Sequence, residues 1–140
     1  MGNRTFTIIK PDAFGKKYTG KIIDRILESG FEILGARMIH MNQNDARGFY
    51  AVHQEKPFFN DLIEFMTSGP CLVMVIAHEN AVESFRKFIG STNPADAAEG
   101  TIRRDFAESV QNNAIHGSDS DINAEKEIAF FFTPNQIHGT

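Results

Sequence analysis

A single cysteine, Cys71, is all the thiol this chain holds. That excludes an intrachain disulfide and any site built on paired cysteines. Cys71 opens the run C-L-V-M-V-I-A, so a buried thiol is expected. Apolar runs are all far too short to cross a bilayer. Basic excess is also lacking: 14 Lys and Arg stand against 18 Asp and Glu, a formal net charge of -4. Nothing in that balance points to nucleic acid or an anionic membrane, and any anion site must come from a few well-placed cations. The start M-G-N-R-T-F-T has no basic-then-apolar leader, and it lacks the Ser or Thr of a myristoylation signal. A soluble, cytoplasmic protein is the expectation. The histidines (His40, His53, His78, His116 and His138) show no short ligand spacing, so no metal centre built by the protein alone is expected. Linkers, repeats and low-complexity segments are absent too.

What is present suits one domain over residues 1–140, with 41% hydrophobic residues and enough length for a core. Arg4 to Lys10 reads as a strand ended by Pro11, followed by a loop, P-D-A-F-G-K-K. Thr19 to Ser29 carries Ile22, Ile23, Ile26 and Leu27 at helical spacing and stops at Gly30. Phe31 to Met41 reads as a second strand with Gly35 a candidate bulge. Asn42 to Asp45 offers caps for a helix to about Val52, and Phe58 to Thr67 predicts another. Cys71 to Ala77 predicts a central strand covered on both faces. Asn80 with Glu83 resembles a capping box opening a helix to Ile89. Thr101 to Val110 predicts a short helix, and Ile128 to Phe132 the last strand. That order fits an α/β chain of the α+β type: a ferredoxin-like βαββαβ four-stranded antiparallel sheet with helical insertions. Strands apolar on both faces need cover from insertions or from another subunit, so a homo-oligomer is expected.

Polar chemistry concentrates in Asn112 to Ser120, N-N-A-I-H-G-S-D-S, which holds one imidazole and almost no apolar residue. Composition alone favours a solvated surface loop. Gly15 to Lys21 satisfies G-x-x-x-x-G-K, but Ile22 follows where a P-loop needs Ser or Thr, so a basic surface loop is the better reading. Arg86 lies at the edge of the apolar arc of Val82, Phe85, Phe88 and Ile89, as a snorkelling arginine or one meeting an anion. Arg103 and Arg104 point apart on a helix; one can pair with Asp105 or Glu108, leaving the other for a ligand. Lys10, at a strand end before proline, projects into solvent or a cleft, with solvent favoured. Phe58 is left over at the first turn of its helix, stapled against the preceding loop or exposed to stack on a flat base.

Taken together, these stretches carry a resemblance. N-x-x-H-G-S-D-S from Asn113 to Ser120 is similar to the active-site signature of nucleoside diphosphate kinases. The likeness continues in T-I-I-K-P-D at Thr7 to Asp12, K-P-F-F at Lys56 to Phe59, S-G-P at Ser68 to Pro70, G-S-T-N-P-A-D at Gly90 to Asp96, G-T-I-R at Gly100 to Arg103 and A-E-K-E-I at Ala124 to Ile128. The resemblance implies transfer of the γ-phosphoryl group of a nucleoside triphosphate, mainly ATP, to nucleoside or deoxynucleoside diphosphates, maintaining those pools. It implies His116 as nucleophile, Glu127 bonded to it and Ser118 nearby. It implies Lys10, Arg86, Thr92 and Arg103 on the phosphates, Phe58 on the base, Asn113 with Lys10 on the sugar, and Tyr50 lining the pocket. Mg²⁺, held mainly by the phosphates, is the implied cofactor. Self-association to a tetramer or hexamer is implied, although the longer C-terminal tail of some hexameric relatives is missing after Gly139-Thr140. Arg104 departs from the family, which usually has glycine there, and would add a cation near the site.

These roles make physical sense. Phosphoryl transfer asks mainly for positioning and charge neutralisation. A neutral imidazole has a lone pair for phosphorus, and a carboxylate on its other nitrogen sets the tautomer. Splitting the transfer through phosphohistidine gives ping-pong kinetics. The rival readings are a non-catalytic ferredoxin-like binding module, disfavoured by the acidic balance, and a P-loop enzyme through Lys21.

Overall fold

Backbone pairing in the computed structural model, which describes residues 2–139, joins four strands into one antiparallel sheet of order β2-β3-β1-β4. The strands are β1 (Arg4–Ile9), β2 (Glu32–Ile39), β3 (Cys71–Ala77) and β4 (Ile115–Gly117). The helices are α1 (Pro11–Gly15), α2 (Thr19–Glu28), α3 (Gln43–Phe49), α4 (Phe59–Met66), α5 (Ala81–Ile89), α6 (Ile102–Phe106) and α7 (Asp121–Phe131). β3 lies between β1 and β2, antiparallel to both, which is the expected ferredoxin-like arrangement with insertions. No helix among the described residues is long and apolar enough to cross a membrane.

Alternation along the central strands builds two cores. Phe6, Ile8, Cys71, Val73 and Val75 face one way, packed with Ala46, Ile63, Ile128 and Phe131. Ile9, Met74 and Ile76 face the other, packed with Ile22, Ile26, Phe85 and Ile102. So α2, α5 and α6 cover one face, and the chain's own α3, α4 and α7 cover the other. Two-sided burial of the strands is met within one chain, and it does not by itself demand a second subunit. Cys71 is fully buried, and burial pushes its thiol up to about 12.

Several elements differ from the sequence reading, each for a local reason. Ile128 to Phe132 is not the last strand; it is mostly the end of α7, whose buried residues Ala124, Ile128 and Phe131 repeat at helical spacing. Ser120 caps that helix, its hydroxyl accepting the Asn123 N–H at 3.1 Å. The fourth strand lies instead inside the polar stretch. Pro11 at the first helical position turns the expected loop into α1. Asn80 adopts φ 51° and its side chain caps no backbone N–H; its amide donates to Glu83 Oε2 at 2.8 Å, so the pair forms without a capping box. Asn42 and Asp45 do form one. α3 ends at Phe49 and α6 at Phe106, both short of expectation. The bulge at Gly35 is present, between Ile33 and Gly35. A Cβ there would stand 2.6 Å from the Gln136 carbonyl oxygen, so only glycine admits the C-terminal segment that covers β2.

Candidate active site

Three strand residues place the imidazole. His116 pairs opposite Ile8 on β1, so its side chain shares the sheet face of Phe6 and Ile8. The Thr7 hydroxyl donates to the His116 carbonyl at 2.7 Å and anchors the strand from its other side. Phe49 and Phe6 wall the ring edge-on, with centroids 5.6 and 6.0 Å away. Gly117 lets α5 close over β4: a Cβ there would stand 3.0 Å from Ile89 Cδ1. His116 Nε2 donates to Glu127 Oε1 at 2.8 Å, from one turn of α7 that the sequence alone could not place. The Ser118 hydroxyl donates to the same oxygen at 2.7 Å. Ser118 therefore reaches His116 only through Glu127. With Nε2 engaged, Nδ1 is the ring nitrogen left with a lone pair.

His116 and Glu127 line a cavity of about 730 Å³. Lys10, Tyr50, Phe58, Arg86, Thr92, Arg103 and Asn113 line it as well, so the predicted residues converge from both ends of the chain. Lys10 is not solvated as its residue type suggested; it is 8% exposed, and Nζ donates to Asn113 Oδ1 at 2.8 Å. Burial pushes its ammonium down to about 8, Arg103 adds to that, and Asp12 opposes it. Arg103 is buried too, donating to the Gly90 and Ile115 carbonyls at 3.0 and 2.7 Å. Its Nε is buried with no partner among the described residues. Burial and then Arg86 push the Arg103 guanidinium down to about 10. Arg86 itself is exposed on α5, between this cavity and a second, shallower one that Thr92 also lines. Three cations thus converge without a carboxylate bonded to any of them among the described residues. Such a field is relieved by an anion.

Two further groups fit a phosphate-bearing ligand. The Tyr50 hydroxyl is buried without a partner among the described residues, and burial, then Cys71 and Glu127, push its ionisation upward. It stays a neutral O–H donor. Phe58, 48% exposed, stands beside His53 with centroids 5.6 Å apart. Val110, 55% exposed, lines the same cavity and was missed by sequence reasoning, as was Phe49; Asp119 and Lys126 line it too, inside the quoted motifs but with no role drawn from them. Neither Val110 nor Phe49 carries a chemical signature in sequence; only their convergence reveals them.

Arg104 corrects an expectation. It does not line either cavity; its Nη1 donates to the Ala97 carbonyl at 3.3 Å. Asp105 pairs with Arg25 at 2.7 Å and Glu108 with Lys16, so neither serves Arg103 or Arg104. The G-x-x-x-x-G-K match spreads over the end of α1, a turn and the exposed start of α2, with no residue in the cavity.

Fold and site together define a nucleotide phosphotransferase. The sequence profile described as nucleoside diphosphate kinase matches residues 3–137. Nucleoside diphosphate kinase of Campylobacter curvus is 58% identical over 134 residues, covering 96% of this chain and 98% of that protein. The enzyme of a Nitratiruptor species is 56% identical over 134 residues, covering 96% and 98%. Among solved structures, the Aquifex aeolicus nucleoside diphosphate kinase superposes with a TM-score of 0.94 at 42% identity, covering 96% of this chain and 98% of that one. The Halobacterium salinarum enzyme, solved with CDP, superposes with a TM-score of 0.94 at 36% identity, covering 100% and 93%. The chain belongs to the nucleoside diphosphate kinase family. Its reaction moves the γ-phosphoryl group of a nucleoside triphosphate to a nucleoside diphosphate in two half-reactions through a phosphohistidine.

Proposed function

We propose that His116 is the histidine phosphorylated in this reaction and that the surrounding residues act as follows. The observation that carries the reading is the 2.8 Å bond from His116 Nε2 to Glu127 Oε1. It leaves Nδ1 to attack the γ-phosphorus. The Nδ1–P bond forms, the bond from that phosphorus to its bridging oxygen breaks, and the diphosphate departs with the electron pair. Glu127 offsets the positive charge that the ring acquires, and the Ser118 hydroxyl keeps that carboxylate oriented. A second nucleoside diphosphate then attacks the phosphohistidine and reverses the step. Lys10, Arg86, Arg103, Thr92 and Tyr50 hold the phosphates, and their preset positions need little reorganisation as charge shifts. Asn113, held by Lys10, faces the sugar.

Mg²⁺ fits as a passenger on the nucleotide. No group of three or more His, Cys, Asp or Glu among the described residues is placed to hold an ion, so phosphate oxygens must supply most ligands. When bound it supplies charge neutralisation on those oxygens, and Asp119, which lines both cavities, is the carboxylate available to steady it.

Phe58 stacks on the base by its face, without reading base edges, so broad base tolerance is expected. Phe58→Ala is expected to raise KM for nucleoside diphosphates about tenfold, with kcat changed far less, as loss of one base stack implies. Steady-state kinetics with two different diphosphates checks this. A fall in kcat at unchanged KM would remove Phe58 from base binding.

The chain acts as a single domain over residues 1–140 and as a cytoplasmic enzyme on this reading. The outer edge of β2 has no strand partner within the sheet, and Met38 on it is 68% exposed. Both features support a homo-oligomer, tetramer or hexamer. Light scattering checks it, and a monomeric mass at micromolar concentration would overturn it.

Incubation with γ-labelled ATP tests the central assignment. Label is expected on the protein in an acid-labile, alkali-stable form that disappears when a nucleoside diphosphate is added.

A further inference from the structure

The residue two before His116 has an unusual backbone. Ala114 adopts φ 72°, a region that side-chain-bearing residues avoid, and it is fully buried. Across it, the Ile115 N–H donates to the Asn113 carbonyl at 2.8 Å, closing a tight turn over one residue. Water cannot satisfy the Ala114 peptide groups at this depth, so their partners decide whether the turn survives. Both come from the segment that follows β1. The Ala114 carbonyl accepts the Lys10 N–H at 2.9 Å. The Ala114 N–H donates to Asp12 Oδ2 at 3.1 Å.

Asp12 sits in the first turn of α1, directly after Pro11, so its carboxylate rides on a backbone whose dihedral is preset. Its other oxygen, Oδ1, is buried with no hydrogen-bond partner among the described residues. The bond to Ala114 is thus the specific contact that a buried carboxylate makes here. Either side of the turn stand groups of the reaction. Asn113, on one flank, accepts the Lys10 ammonium at 2.8 Å. Ile115, on the other, accepts Arg103 at 2.7 Å and leads straight into His116.

We infer that Asp12 is a positioning residue for phosphoryl transfer: by holding the strained turn at Ala114, it fixes where Asn113 and His116 stand relative to each other. This rests on His116 being the phosphoryl acceptor. Without the carboxylate, Ala114 relaxes toward negative φ, and both flanking side chains shift. Misplacement of about 1 Å costs on the order of a hundredfold in rate.

Four proteins test it: wild type, Asp12→Ala, Asp12→Asn, and Asp12→Ala combined with Ala114→Gly. Steady-state kinetics and the rate of phosphoenzyme formation are measured for each. Asp12→Ala is expected to lower kcat about a hundredfold while KM stays within about threefold, the signature of lost alignment with intact binding. Asp12→Asn, whose amide oxygen still accepts the Ala114 N–H, is expected to recover most of the rate. The glycine double variant is expected to recover about tenfold or more, because glycine enters positive φ without strain. A merely electrostatic role beside Lys10 predicts otherwise: neither Asn nor glycine would rescue, and the alkaline limb of kcat/KM would move to lower pH. That result overturns the inference, as does Asp12→Ala with kcat within twofold of wild type. Should Asp12→Ala fail to fold, the Asn and glycine variants decide. Both active supports the turn; either inactive overturns it. Wild-type protein that forms no phosphohistidine refutes the His116 assignment itself, whereas a normal wild-type phosphoenzyme with unaffected Asp12 variants refutes this inference alone.

Discussion

His116→Ala is expected to abolish the labelled phosphoenzyme and to lower kcat by about 10⁴-fold or more, the scale of losing a nucleophile. No neighbour can substitute. The Ser118 hydroxyl is spent on Glu127, and Glu127 stands on the Nε2 side of the ring. Tyr50 is held as a neutral phenol, since burial pushes its ionisation upward. Nucleotide affinity should change far less than rate, because Lys10, Arg86 and Arg103, the cations proposed to hold the phosphates, stay. Equilibrium binding of a diphosphate therefore separates loss of chemistry from loss of fold. Label that persists on His116→Ala would move the phosphoryl acceptor elsewhere.

Lys10→Met is expected to lower kcat/KM by about 10² to 10³, as removal of one preset electrostatic contact implies. Its pH behaviour is the sharper measurement. The buried ammonium loses its proton at about 8 in the free protein, against an ordinary value of 10.5. Below that point it is a cation, able to hold phosphate as proposed; above it, that contact would be lost. The wild-type kcat/KM profile should therefore fall above pH 8, and Lys10→Met should lack that limb. In the complex, bound phosphates favour the charged form, so kcat should fall later than kcat/KM. Stability moves the opposite way. Between pH 8 and 10.5 the unfolded chain binds more protons at this position than the folded one, so the folded state gains as pH rises. The melting temperature of wild type, relative to Lys10→Met, should rise across that window. An alkaline limb that survives in Lys10→Met would assign it to another group.

Burial of that lysine is not encoded in its local sequence. Residue type and a position before proline favoured solvent for Lys10; the cleft around it forms where Arg103, Thr92 and Asn113, distant in sequence, come together with the segment from Gly48 to Phe58 and with α7. Arg86 was better placed, because the apolar arc of α5 fixes its edge position through the helical period alone. Arg103 and Arg104 were indistinguishable as neighbours. Packing sends one into the cavity and the other to the Ala97 carbonyl. Phe49 and Val110 reach the site on elements whose pattern speaks only of core and surface. β4 was hidden because strand geometry there comes from hydrogen bonds to β1, not from its own three residues. In α7, F-F-F taken locally has strand preference; the i, i+4, i+7 burial of Ala124, Ile128 and Phe131 overrides it.

By itself, the sequence determined the family and singled out the groups proposed to react, because ordered motifs specify residue types at set spacings. It determined β1, β3, α2 and α5 as well, because apolar periodicity encodes which side of an element meets a core. Tertiary structure alone decided which ring nitrogen of His116 is free, how far Lys10 and Arg103 are stripped of water, and how a strained turn at Ala114 is held. Each of those depends on groups distant along the chain that meet only when the sheet closes, and no local pattern of residues records such a meeting.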